Sequence, residues 1–426
     1  MRITVTALGA TLALLAIGAC GSSASGGGST SSTLVVGEFN PFTGPDAAFG
    51  PEMAGGCAPA VQLINASGGV LGHKLSCVQE DTRGDPADAV PAAQKMMATE
   101  TSLIGVLGPS SDEALATAPL LNQGGVPMFA DTGQAAFDHS SYAYFWRITP
   151  ADDVKGYAMA LWAHKAGYTR AAAVFGNDAG AQSDVPTLTR AFIRLGGTIV
   201  YSKPFALDQS SYRTEIENML ASHPQVIFTE VDPQTGATFL SELQQLHGQL
   251  LPVVGTEVTL QAPWLKAVNS AIGPAAMAKY FEGMQPYAPP SGPAWQAYNR
   301  SLLASASQVP KPSQWSSDPY SMTYYDGVNV MALAMTAAKS TKPAVFNGFI
   351  MKVTEPGPGK TVVDTFAAGK AALQAGKQIQ YVGAGGPIVF NQWHSSTGAF
   401  EAAKYMNGNP VLVGSVSAAQ IAAISR

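Results

Sequence analysis

The sequence predicts an α/β fold arranged as two lobes, each built on a parallel sheet. From residue 34 onward, short β-branched runs alternate with longer stretches of helical composition, the pattern of strands joined by crossover helices. The alternation completes one series, restarts near residue 146 and completes a second. A length of 426 residues also exceeds what one hydrophobic core ordinarily organises.

Taken in order, residues 1–20 join a basic Arg2 to an apolar run and a small-residue region, the pattern of an export signal. Within it Ile17, Gly18, Ala19 and Cys20 resemble the lipobox of bacterial lipoproteins, in which the cysteine is lipidated and becomes the new N-terminus. An ordinary signal peptide that contains a cysteine is the alternative. Residues 21–33 are rich in Gly and Ser and read as a flexible tether. The folded part is therefore expected to begin near Leu34, extracytoplasmic and held to the outer face of the bacterial cell membrane by lipid on Cys20. No later apolar run is long enough to span a bilayer.

Residues 34–39 read as the first strand, 41–52 as a loop, and 53–66 as a helix stopped by Ser67, Gly68 and Gly69. Residues 73–81 form the next strand and 86–99 the next helix, opened by Asp85 and Pro86. A strand at 103–107 runs into a turn of Gly108, Pro109, Ser110 and Ser111, then a helix to Leu121 and a break at Gly124 and Gly125. A strand at 126–130 leads to a second polar turn, Asp131 to Gln134. Both turns would lie at the carboxyl ends of parallel strands, where open α/β sheets place their ligands.

The second series sets helices at 152–167, 182–197, 211–223 and 235–248 against strands at 171–176, 198–205, 225–231 and 252–257. Beyond Glu257 the signal weakens: a helix at 263–272, then helix, short strand and Pro-rich connection over 277–293. A long apolar helix at 318–340 follows, with strands and turns over 379–413. This last portion is expected to cross back to the first lobe and finish on the second.

Composition narrows the function. With 46% apolar and 12% charged residues the chain can build real cores, and a formal net charge of −5 supplies no basic field for nucleic acid. Export puts the cysteines in an oxidising setting. With Cys20 committed to lipid, Cys57 near the start of the first helix and Cys77 late in the following strand form an even pair that favours a disulfide, two separate buried thiols being the alternative. That pair offers too few ligands for a metal site, and no metal or other cofactor is expected.

The order of elements and several local patterns resemble the type I periplasmic solute-binding proteins, specifically the branched-chain amino acid (Leu/Ile/Val) binding family of ABC importers. Matching stretches in the first lobe are Gly44-Pro45 with Phe49-Gly50, residues 61–65 and 68–72, Asp81 with Asp85-Pro86, Gly108 to Ser111, and Gly125-Val126-Pro127. Further on are Arg147 to Pro150 with Asp153, Gly255-Thr256-Glu257, and Tyr381, Gly383-Ala384, Gly386-Pro387 and Phe390, in order over nearly the whole mature chain. The resemblance implies two doubly wound, Rossmann-like lobes joined by a three-strand hinge, a clamshell. Lobe one would take residues 34–148 and 287–391, and lobe two 149–286 and 392–426. It also implies closure on a small-molecule solute and its presentation to an ABC permease in the membrane. A monomer is expected.

The resemblance further implies that the turn at Ser110 and Ser111 holds a ligand carboxylate. The chemistry agrees, since unpaired N–H donors and the positive end of a helix dipole attract anions; helix capping is the plainer use of such serines. By the same resemblance Glu257 pairs with a ligand amino group, a solvated loop acid being the alternative. Phe49 and Tyr320 match rings that pack on the ligand, although core packing accounts for them equally well. The chain departs from the family pattern at 131–134, where Gln134 supplies an amide in place of an expected hydroxyl beside Thr132, and at 178–180 and 231–232, where aromatic positions are lost. These departures favour a larger or more polar ligand than leucine, with Asp178, Glu230 and Asp232 available as acceptors. Lobe one would thus contribute Phe49, Ser110, Ser111, Thr132, Gln134 and Tyr320, and lobe two Glu257 and Asp232.

No Gly-x-Ser-x-Gly elbow, His-Glu-x-x-His pair or clustered histidine marks an enzyme. Residues 355–361 end like a phosphate loop, but Thr354 stands where its first glycine belongs and two prolines remove N–H donors; they read as a surface turn. Asp152 and Asp153 read as partners of a helix dipole. The expectation is a non-enzymatic binding lipoprotein of an ABC importer for a small carboxylate-bearing solute, an amino acid or related compound. An extracellular sensor on the same fold, signalling to a membrane partner, is the runner-up, and a secreted hydrolase a further alternative.

Overall fold

The computed structural model describes residues 33–425 except 45, 111, 288, 289, 397, 407 and 408. The export signal, the lipid site expected at Cys20, most of the tether and Ser111 lie outside the described residues.

The first lobe opens with β1 (Leu34–Asn40), α1 (Phe49–Ala66), β2 (Leu75–Asp81), α2 (Pro86–Thr99), β3 (Leu103–Ser110), α3 (Ala114–Gln123), β4 (Met128–Asp131) and β5 (Phe145–Arg147). Its strands are parallel and ordered β2-β1-β3-β4-β5. β1 is buried along its whole length, as a strand must be when helices cover both faces of a parallel sheet. On one face Met53 and Ile64 of α1 join the main core; on the other, Ala89 and Ala93 of α2 and Ala114 and Ala118 of α3 lie close against the sheet.

The second lobe repeats the plan with α4 (Asp152–Lys165), β6 (Arg170–Gly176), α5 (Ala179–Arg194), β7 (Thr198–Phe205), α6 (Arg213–Ala221), β8 (Val226–Glu230), α7 (Pro233–His247), β9 (Val253–Gly255), α8 (Ala262–Ile272), α9 (Pro274–Tyr280) and β10 (Phe281–Pro286). The chain then returns to lobe one as α10 (Gly292–Ala304), α11 (Pro319–Ala338), β11 (Thr361–Val363), β12 (Ile379–Gly383) and β13 (Gly386–Pro387), before β14 (Phe400–Met406) and β15 (Asn409–Val416) finish on lobe two. The second sheet is ordered β7-β6-β8-β9-β10 in parallel, extended by antiparallel β14 and β15.

Both sheets therefore reverse direction beside their first strand, between β1 and β3 and between β6 and β8. At such a point the connections leave to opposite faces and open a crevice at the carboxyl ends of the strands. Among the described residues the lobes are joined by passages from β5 to α4, from β10 to α10 and from β13 to β14.

α11 is buried along most of its length because it fills the space between α1 and the β11–β13 sheet. A Cβ on Gly56 of α1 would sit 2.5 Å from Cβ of Tyr324, so glycine permits this approach. A disulfide joins Cys57 of α1 to Cys77, the third residue of β2 rather than a late one.

Other differences from the sequence reading are local. α1 begins at Phe49, inside the expected loop. β3 continues through Gly108 and Pro109 to Ser110, because pairing with β4 resumes at Ser110 and Asp131 after an irregularity; the expected turn is thus partly strand. α10 and a C-terminal helix at Ala418–Ser425 were not anticipated. Among the described residues no helix is long and apolar enough to cross a membrane.

Candidate functional site

The carboxyl ends of the two sheets meet at a cavity of ≈ 70 Å³. Each water centre takes roughly 10–15 Å³ on this measure, so the space suits a small solute. From lobe one it is lined by Phe49 and Met53 at the start of α1, Ser110 at the end of β3, the segment from Asp131 to Gln134, and Tyr320 in the first turn of α11. Lobe two adds Asp152, Lys155, Gly180, Glu230, Glu257 and Phe400. A larger groove of ≈ 1100 Å³ adjoins it and shares Glu257 and Tyr320.

In lobe one the chain's own acids engage the donors. The Ser110 hydroxyl donates to Glu113 Oε1 at 2.9 Å and the Ser110 N–H donates to the same oxygen at 3.3 Å. Glu113 is buried, and burial pushes its carboxyl up to about 7. The Gln134 side-chain amide donates to Asp112 Oδ1 at 3.3 Å, and the Gly180 N–H of lobe two donates to that oxygen at 3.1 Å. Asp112 thus ties the lobes together, as does the Asp152 N–H, which donates to the Gly133 carbonyl at 2.7 Å. A Cβ on Gly133 would fall 1.7 Å from Asp152 Oδ1, so a larger residue there would displace the Asp152 carboxylate.

The turn carrying Thr132 and Gln134 is held from behind by Arg147. Its buried guanidinium pairs with Asp138 at 2.8 Å, donates to the Gly133 carbonyl at 3.0 Å and donates to Ser395 Oγ at 3.1 Å. One side chain thereby fixes the rim of lobe one to the third passage between lobes. Asp131, at the end of β4, is pushed up to about 8, first by burial and then by the charges of Glu257 and Asp318, against the charge of Lys155.

Lobe two reverses this arrangement. Lys155 Nζ lies 3.1 Å from Glu257 Oε1, 3.1 Å from Asp184 Oδ2, 3.3 Å from Asp152 Oδ1 and 3.4 Å from Glu230 Oε2. Burial opposes its charge, but Asp152, Asp184, Glu230 and Glu257 together hold the ammonium well above its ordinary range. Burial pushes Glu257 upward and Lys155 pulls it back. Glu257 Oε2 is buried with no hydrogen-bond partner.

Of the residues expected at the site, Phe49, Ser110, Thr132, Gln134, Glu257 and Tyr320 line the cavity together. Asp232 does not join them: its carboxylate caps α7, accepting from the N–H groups of Gln234 at 2.8 Å and Thr235 at 3.0 Å. Asp178 caps α5 in the same way, accepting from the Ala181 N–H. Glu230 does line the cavity. Sequence reasoning missed Asp131 and Lys155. Lys155 carried a signal, since a lysine in the first turn of a helix opposes the dipole and needs acidic partners. Asp152, read as a dipole partner, is one of them.

Among the described residues no histidine or cysteine lines the cavity, and no group of acids, histidines and cysteines is placed to hold a metal ion. The arrangement can bind a solute between its two walls.

The sequence model of the periplasmic binding proteins matches residues 33–409. The Leu/Ile/Val-binding protein BraC3 of Rhizobium johnstonii is 35% identical over 103 residues, 24% of this chain and 28% of that protein. The chain thus spans about a quarter of the length of the curated relatives it matches. The leucine-binding protein LivK of Thermotoga maritima superposes with a TM-score of 0.71 at 17% identity, covering 90% of this chain and 99% of that one. A solute-binding protein of R. palustris, solved with benzoate, superposes at 0.68 and 18% identity, covering 91% and 97%. These two likenesses establish the two-lobe fold.

Proposed function

The chain belongs to the periplasmic binding protein family, and from that premise we propose that it is the extracytoplasmic solute-binding lipoprotein of an ABC importer, anchored through Cys20. It captures a small solute between its lobes and presents the closed form to a membrane permease. The observation that carries this reading is the cavity itself, walled by Ser110, Asp131, Thr132 and Gln134 on one side and Lys155, Glu230 and Glu257 on the other. A solute touching both walls stabilises the closed form by its differential affinity for it. The contacts of Asp112 with Gly180 and of Asp152 with Gly133 join the two rims directly and support this reading.

Calorimetry of the purified chain against amino acids, amines, aromatic acids and sugars, paired with small-angle scattering, tests the reading. Saturable binding by one class, accompanied by a smaller radius of gyration, is expected. Binding with no compaction in any class would contradict capture by closure.

A further inference from the structure

The two walls do not present the charge pattern that a zwitterion needs. An amino acid brings a carboxylate to hydrogen-bond donors and an ammonium to acids. Here four donors positioned for the first task, the N–H and hydroxyl of Ser110, the Gln134 amide and the Gly180 N–H, already serve Glu113 and Asp112. Glu113 is fully buried and receives a third bond from Thr82, so it is built into lobe one rather than standing in the way of a ligand.

The cavity wall carries Asp152, Glu230 and Glu257 against the single ammonium of Lys155, with Asp184 behind it on the same lysine. The other nearby cation, Arg147, is spent on Asp138 and on backbone carbonyls. An incoming anion would meet this acidic surplus with the Ser110, Gln134 and Gly180 donors already occupied. An incoming cation would meet Glu257 Oε2, which has no partner, and the rings of Phe49, Tyr320 and Phe400 that line the same space. Carboxylates beside aromatic faces are what an organic ammonium group requires.

We propose that the cleft selects a small organic cation, an amine or quaternary ammonium compound without a carboxylate, with Asp112 and Glu113 filling the anion donors and Glu257 receiving the cation. The proposal rests on the solute-binding reading above and names its substrate class.

The test is calorimetry of the purified protein with choline, putrescine, leucine and benzoate, repeated on Glu257→Gln, Asp112→Asn and Glu113→Ala. Choline or putrescine binds the unaltered protein while leucine and benzoate do not; Glu257→Gln weakens that binding at least tenfold. Asp112→Asn, which preserves the shape of the rim, and Glu113→Ala, which empties the Ser110 donors, each raise the affinity for benzoate or leucine. Tighter binding of leucine or benzoate than of either amine to the unaltered protein overturns the cation assignment and leaves solute capture standing. Failure of all four probes to bind overturns the assignment too, and the wider solute screen then decides whether capture survives. Benzoate affinity unmoved in Asp112→Asn, with that variant folded, removes the role given to the internal acids.

Discussion

The two lobes repeat one strand order, yet their rims handle charge in opposite ways. At the ends of β3 and β4, lobe one sets hydrogen-bond donors against its own acids, Asp112 and Glu113. At the ends of β8 and β9, lobe two sets acids, Glu230 and Glu257, around its own base, Lys155. The same backbone crevice thus becomes a pre-filled donor wall on one side and an under-neutralised acidic wall on the other. Topology places a site; the residues just past the strand ends decide what it accepts.

The strongest challenge to this contrast is Lys155→Met. Its side chain is 8% exposed and its ammonium is shared by four carboxylates, so removing it leaves buried charge unpaired, at a cost of about 3–5 kcal/mol. Glu113→Gln, with a carboxyl already pushed to about 7 and its hydrogen bonds largely replaceable, should cost under about 1 kcal/mol at pH 7. Urea unfolding at pH 7 and pH 5 checks the pair. The Lys155→Met loss should shrink at pH 5, where the acids that burial pushes upward, Asp184 and Glu257, accept protons. Equal losses in the two variants would erase the distinction between rims.

Next in size is the disulfide, which belongs to lobe one alone. Cys57 and Cys77 are 20 residues apart, and opening a loop of that length releases about 3 kcal/mol of denatured-state restraint. In the double Cys→Ser variant, scanning calorimetry should show the lobe-one transition lowered and the lobe-two transition in place. A shared shift would mean that the lobes unfold as one unit.

Asp232→Ala is expected to have the smallest effect on stability. Loss of the α7 cap costs about 1 kcal/mol, while solute affinity stays unchanged because Asp232 is not part of the cavity wall. A drop in affinity would return Asp232 to the site.

The contrast also shows what could be read from the residues. The strands and most crossover helices follow from β-branched runs and Gly or Pro stops, and α2 and β7 fall on the expected residues. α10 was missed because its opening Gly292-Pro293 reads as the end of a Pro-rich connection, and the C-terminal helix because alanine and serine carry little pattern. Glu257 and Ser110 could be placed at strand ends, but their partners could not. Glu113 lies three residues from Ser110 and looks like the first-turn acid of a helix, whereas it turns back to bind Ser110. Asp184 and Glu230 reach Lys155 from different elements, a convergence that only the packing of α4 on α5 and the end of β8 creates.

Choline binding followed by calorimetry from pH 6 to pH 8.5, in buffers of different ionisation enthalpy, tests the central claim most directly. Asp131 has Glu257, Asp318, Lys155, Glu52 and Tyr320 around it, and with its carboxyl pushed up to about 8 it is protonated in the free protein at neutral pH. A bound ammonium favours the carboxylate, so binding expels a proton. Affinity should therefore rise severalfold as the pH climbs toward 8 and level off above it, with net proton release. An affinity that is flat or falls with rising pH, or a net proton uptake, would contradict the account.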